Sequence, residues 1–214
     1  MVGTPPTVGT GPGSTPRPEL LLLDAGGVIF EEKFDHWLGS LDRPAGLPAG
    51  TCARQFDLRW YRPLWSGTLS TGQFLSELAE LARRDPQQLQ DEIMAGFDAL
   101  PTVTSNIKRW AGQVPVWVLS NHRAEWLRPL ITRQGLDGYL ARMFISSETG
   151  RIKPDGRAYE MVATAWAGPP GLVLFVDDRE RNLVAARAAG FQTVLADPAG
   201  SWVAQVDRVL PPAC

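Results

Sequence analysis

Leu20-Leu21-Leu22-Leu23-Asp24-Ala25-Gly26-Gly27-Val28 is the stretch on which the fold turns. Four consecutive leucines offer water no polar face, so they suit a strand of a sheet covered on both sides. A carboxylate follows at once, then two glycines. Open α/β sheets take their ligands outside the carboxyl ends of parallel strands, which is where Asp24 would stand. The glycines permit a sharp turn and a close backbone approach. A strand ending in an ordinary Asp-containing turn reads the same way, so the rest of the chain has to decide.

Downstream, the pattern repeats. Residues 114–119 (Val-Pro-Val-Trp-Val-Leu) form a second buried strand ending at Ser120-Asn121. Met143-Phe144-Ile145 is a third, 172–176 a fourth that ends at Asp177-Asp178, and 192–196 a fifth. Between them lie helical stretches at 105–111, 123–134, 156–167 and 180–189. Asp155 caps the third of these; Gly135, Gly168 and Gly190 are placed as stops. Strands alternating with helices imply right-handed βαβ units and a parallel sheet.

Residues 33–99 break the alternation. Phe74, Leu75, Leu78 and Leu81 share one face of a helix over 71–81. Asp85-Pro86 reads as N-cap and first turn of a helix carrying Leu89, Ile93, Met94 and Phe97. An earlier helix is expected over 51–61, with Trp65 in a following loop, and three or four helices in all. The block is therefore an insertion after strand one, placed over the carboxyl end of that strand. Domain bounds follow as 19–32 and 100–214 for the core and 33–99 for the helical block.

Composition limits the function classes. The 214 residues are 44% hydrophobic, enough for one sizeable core. A net charge of −2, a pI near 5.7 and no basic stripe argue against nucleic acid or an anionic membrane as partner. No run approaches the ~20 apolar residues of a membrane span. Cys52 and Cys214 lie far apart, which suggests reduced thiols and a cytoplasmic setting. Residues 1–18, with five prolines and four glycines among Thr and Ser, read as a flexible tail without the apolar region of a signal peptide.

Four polar stations lie at or just after strand ends: Asp24, Ser120-Asn121, Lys153-Pro154 and Asp177-Asp178. In a parallel sheet all four meet on one rim. Asp24, Asp177 and Asp178 sum to −3, and crowding would raise their pKa values. A divalent cation together with Lys153 adds +3. The balance calls for a hard cation on oxygen ligands, Mg²⁺ foremost. Cation, Lys153, Ser120 hydroxyl and loop N–H groups would then cradle one phosphate, with a carboxylate aimed at phosphorus.

In order and context these motifs resemble the haloacid dehalogenase (HAD) superfamily, over about residues 19–200, and the helical block resembles the cap of its C1-capped group. The resemblance implies a Rossmann-like core with sheet order 5-4-1-2-3 and an inserted helical cap. It implies Asp24 as the nucleophile that forms a phosphoaspartate, Ser120 and the Asn121 backbone N–H as phosphate binders, and Lys153 bridging nucleophile and phosphate. Asp178 would be a direct metal ligand, Asp177 a direct or water-mediated one, and the Gly26 carbonyl another. Asn182 is similar to a family position supporting the acidic loop. The substrate class implied is a small phosphorylated metabolite, and the enzyme a monomer or homodimer.

One departure matters. Phosphatases of the family usually carry a second aspartate two positions after the nucleophile, which protonates the leaving group and then activates water. Here that position is Gly26. General acid–base catalysis contributes about 10²–10⁴-fold. Three readings stay open: a surrogate acid among Glu31, Glu32 and His36; a leaving group needing little protonation; or a slow or inactive enzyme that only binds a phosphorylated ligand. The sequence is similar to the Asp-x-Gly branch, which includes a sugar-1-phosphate phosphatase. A 2-haloacid dehalogenase also lacks the second aspartate, but the Asp177-Asp178 pair resembles the phosphatase pattern more closely. Trp65 is a candidate substrate contact, and Arg123 follows Asn121 closely enough to reach phosphate or to be a solvated helix terminus.

Overall fold

The computed structural model describes residues 16–210. The flexible tail read from the sequence falls mainly on residues 1–15, which lie outside the described residues, as does Cys214. Among the described residues, β1 (Leu20–Leu23), β2 (Val116–Ser120), β3 (Leu140–Ile145), β4 (Val173–Asp177) and β5 (Gln192–Leu195) form one sheet. Every pairing is parallel, and the order is β3-β2-β1-β4-β5. This is the expected order 5-4-1-2-3 read from the opposite edge. The leucine run is divided between two faces by the two-residue period of a strand. Leu21 and Leu23 enter one apolar cluster, Leu20 and Leu22 the other. Each is fully buried, worth roughly 1.5–3 kcal/mol apiece.

Between β1 and β2 run α1 (Phe34–Ser40), α2 (Asp42–Ala45), α3 (Thr51–Gln55), α4 (Tyr61–Trp65), α5 (Thr71–Ala82), α6 (Pro86–Ala95) and α7 (Pro101–Trp110). The first six are the inserted block. Where the chain leaves and re-enters the core it pairs with itself: Glu31 N–H donates to Asp98 O (2.8 Å) and Leu100 N–H to Ile29 O (2.9 Å). Ser70 and Gln73 form a reciprocal capping box on α5, and the Asp85 side chain accepts from Gln87 and Gln88 N–H on α6.

The expected helix over 51–61 is longer than its sequence pattern suggested. α3 passes through a π-helical turn, Phe56–Trp60, into α4. Buried Cys52, Phe56, Trp60 and Leu64 recur every four residues. That spacing overshoots a 3.6-residue turn, and the wider π turn absorbs the drift. Trp65, read as a loop residue, is consequently the last residue of a helix and is buried.

After β2 come α8 (Ala124–Arg133), α9 (Ser146–Thr149), α10 (Gly156–Trp166), α11 (Glu180–Ala188) and α12 (Trp202–Val209). Ile107, Trp126 and Val206 of α7, α8 and α12 cover one sheet face, the same side as the inserted block. Tyr159, Val162 and Leu183 of α10 and α11 cover the other. α12 was not foreseen from periodicity. The stop of α10 is also different from expectation: Ala167 takes the left-handed φ of 57°, not Gly168. Gly168 is small for another reason, since a Cβ there would lie 2.6 Å from Trp166 Nε1. Arg123 neither faces solvent nor reaches the cradle. It is buried and donates to the Leu64 and Leu69 carbonyls (2.9 and 3.1 Å), tying the inserted block to the core.

Candidate active site

The register fixes the convergence. Leu23 pairs with Val118 on one side and Val176 on the other. Asp24, Ser120 and Asp177 therefore leave three adjacent strands at nearly the same height. Lys153, after β3 and α9, reaches in from the next loop. Its ammonium lies 2.7 Å from Asp24 Oδ2 and 2.6 Å from Asp177 Oδ2, with the side chain 1% exposed. The loop is held by Asn121, whose side chain donates to Lys153 O (2.9 Å) and accepts from Lys153 N–H (2.8 Å). That clamp was not foreseen; only the Asn121 backbone N–H had been assigned a role.

Asp177 is fully buried and saturated with donors. Besides Lys153, it accepts from Arg179 N–H (2.8 Å) and from Asn182 Nδ2 (2.8 and 3.0 Å). Asn182 is in turn fixed by Tyr159 Oη, which donates to its carbonyl (2.9 Å). Asn182 thus holds the acidic loop from the first turn of α11. Asp178 is half-buried and packs against Gly27. A Cβ on Gly27 would meet Asp178 Oδ2 at 2.5 Å, and the residue has φ +70°. Here glycine serves both a conformational and a steric need. Gly26, by contrast, is not in the left-handed region.

One oxygen from each of Asp24, Asp177 and Asp178 can be chosen so that all three lie within 4.8 Å of one another. Burial raises the Asp24 carboxyl to about 7 against the opposing pull of Lys153, and the other two carboxylates push the same way. Asp178 is raised by burial and by Asp177. Lys153 is raised by Asp177 and Asp24 despite its burial. An all-oxygen, like-charged set of this kind fits a hard divalent cation. Ser120 is buried, and its hydroxyl makes no hydrogen bond with the described residues. It lines a cavity of about 360 Å³ together with Asp24, Lys153 and Asp178.

Glu32 lines the same cavity, and its carboxylate fills the space beside Gly26. A Cβ on Gly26 would lie 2.7 Å from Glu32 Oε2. Glu32 accepts from Phe34 N–H (3.3 Å), has Arg179 Nη2 at 3.8 Å, and is raised by burial. The other two surrogate candidates are elsewhere. Glu31 pairs with Lys33 (2.5 Å) and lines an adjacent cavity on the far side of Glu32. His36 is exposed on α1 and does not line the cavity. Of the three, only Glu32, whose side chain is 34% exposed, reaches the cavity. Trp65 lines the cavity with Phe34, Phe56 and Tyr61.

A family model described as haloacid dehalogenase-like hydrolase matches residues 20–190. The chain belongs to that family. No curated protein matches it. Solved structures match its fold. One is a predicted HAD-like family hydrolase from Porphyromonas gingivalis, 20% identical, TM-score 0.73, covering 92% of this chain and 100% of the other. A second is a HAD family enzyme from Bacteroides thetaiotaomicron in complex with magnesium, 16% identical, TM-score 0.73, covering 87% and 97%. A third is a dehalogenase, 19% identical, TM-score 0.65, covering 92% and 98%. In this HAD-like chain several cavity residues escaped the sequence reading, Asp35, Asp57 and His122 among them. His122 follows the Ser120-Asn121 pair and is 5% exposed, among Trp65, Phe97 and Trp126. Its closeness to Ser120 in sequence was the available signal.

Proposed function

We propose that this chain is a Mg²⁺-dependent phosphate-monoester hydrolase acting through a phosphoaspartate on Asp24, with the inserted helices as a cap. The observation that carries the reading is the buried Asp24 carboxylate, held by Lys153 beside two further acids, facing a cavity that the free Ser120 hydroxyl also lines. A HAD family enzyme of Bacteroides thetaiotaomicron has been solved with magnesium and inorganic phosphate, which supports the same ligands here. Asp24, Asp178 and the Gly26 carbonyl would hold the metal. Asp177, saturated by donors, would act on it directly or through water while orienting Lys153. The metal would supply positive charge against the phosphoryl oxygens and keep Asp24 ionised.

In the first step an Asp24 oxygen attacks phosphorus, and the bond from phosphorus to the leaving oxygen breaks. Ser120 Oγ–H and the Lys153 ammonium donate to the phosphoryl oxygens as their charge grows. The departing oxygen takes a proton from the Glu32 carboxyl. In the second step Glu32, now a carboxylate, takes a proton from water as it attacks phosphorus. The Asp24–phosphorus bond breaks, and inorganic phosphate leaves. Glu32 is preferred to Glu31 and His36 because it alone of the three lines the cavity. The substrate would be a small phosphorylated metabolite, with sugar 1-phosphates in the class.

Hydrolysis of phenyl phosphate with Mg²⁺, and its loss on adding a chelator, is the test. Activity that survives chelation, or chloride release from a 2-haloacid, assigns the site to dehalogenation instead. Binding of phosphate esters without turnover of any assigns the chain to ligand binding.

A further inference from the structure

His122 is a neutral imidazole with one nitrogen spoken for. Nδ1 lies 3.1 Å from the Arg123 carbonyl oxygen. A carbonyl only accepts, so Nδ1 carries the proton and Nε2 carries a lone pair. Nε2 has no partner among the described residues, is not sealed in the core, and belongs to a residue lining the cavity. The ring is wedged between aromatic side chains, with centroids 5.1 Å from Phe97 and 5.8 Å from Trp65. Burial keeps it neutral, lowering its pKa to about 4. Opening onto the cavity, this acceptor is available to a donor on a bound ligand.

A phosphoryl dianion cannot be that donor, because its oxygens present lone pairs of their own. Within a bound phosphomonoester, the donor would then belong to the leaving group. The rest of the cap side agrees. Asp35 and Asp57 line the same cavity, and their carboxylates make no hydrogen bond or ion pair with the described residues. Three open acceptors thus line the cavity. We propose that His122 is a specificity residue whose Nε2 accepts a hydrogen bond from a hydroxyl or amine of the leaving group, so that the substrate is a phosphomonoester with a donor-rich organic half. This inference rests on the phosphatase reading.

The test uses matched esters with Mg²⁺: glucose 6-phosphate against cyclohexylmethyl phosphate, and glycerol 3-phosphate against propyl phosphate. The wild type is expected to favour the donor-bearing member of each pair by at least roughly 10-fold in kcat/KM. His122→Phe keeps a flat ring but no acceptor, and should bring that ratio close to one. His122→Asn, which retains an acceptor, should keep part of it. Asp57→Ala, on an exposed residue, removes one outer acceptor without disturbing the core and should lower the same ratio. Two results overturn the inference: a wild type with no preference within either pair, or a His122→Phe variant slowed equally on both members, as a packing role would give. Absence of turnover on every ester, phenyl phosphate included, is a distinct result; it removes the phosphatase reading and this inference with it.

Discussion

Exchanging the two positions that compete for one space is the sharpest test of the acid assigned to Glu32. Glu32 Oε2 stands 2.7 Å from where a Gly26 side chain would begin, about as far as an aspartate carries its own carboxylate oxygens beyond Cβ. Glu32→Gln keeps the shape and removes the proton. Alkyl esters, whose leaving oxygens need protonation, should slow by about 10²–10⁴, or roughly 3–5 kcal/mol at 1.36 per decade. Aryl esters with good leaving groups should slow far less in the first step. They should give a burst of phenol followed by slow release of phosphate, since the same group activates water. Gly26 lies outside the left-handed region, so its backbone accepts a side chain. Gly26→Asp alone crowds two carboxylates together and should not help. Gly26→Asp with Glu32→Ala opens the space and should restore turnover of alkyl esters above that of Glu32→Ala alone. The assay is a leaving-group series of substituted phenyl and alkyl phosphates, read by rapid quench and in steady state. A Glu32→Gln variant with the wild-type leaving-group slope refutes the reasoning; a steep slope already present in the wild type means that no acid replaces the side chain missing at Gly26.

Two further outcomes follow from the buried charges. Lys153→Met leaves Asp24 and Asp177 facing each other without their shared cation. It should abolish hydrolysis and cost about 3–5 kcal/mol in urea unfolding, part of it recovered by Mg²⁺; an unchanged midpoint without metal would contradict the ion-pair geometry. His122 has its folded pKa lowered from 6.5 to about 4, so the unfolded chain binds the extra proton first as pH falls. Its contribution is intact above pH 6.5 and is lost on going down to about 4. Over that range the wild type should therefore lose about 3 kcal/mol more than His122→Phe, measured by urea unfolding at both ends. Equal losses would show that the imidazole is not buried neutral.

The sequence alone determined the sheet and the rim on which its polar residues meet. Four leucines have one stable placement, a strand covered on both faces, and an acid directly behind such a strand has to emerge at its end. The same logic put Ser120 and Asp177 at their strand ends. Local capping chemistry placed α6 and α10 by Asp85 and Asp155, and the apolar face of Phe74, Leu75 and Leu78 placed α5. What sequence could not supply was direction. Glu31, Glu32 and His36 were equivalent acids on paper. Only the tertiary structure brought Glu32 to the cavity beside Gly26 and left the other two out of it. Trp65 left its expected loop because the π turn that carries α3 into α4 answers to a four-residue apolar row, a tertiary demand. Arg123 and His122 were unreadable for the same reason. One is a latch only because the Leu64 and Leu69 carbonyls arrive beside it, and the other is an open acceptor only because the Arg123 carbonyl takes its Nδ1 proton. Strand burial is settled by residues adjacent in sequence; the partner of a polar side chain is settled by which distant backbone the fold brings to it.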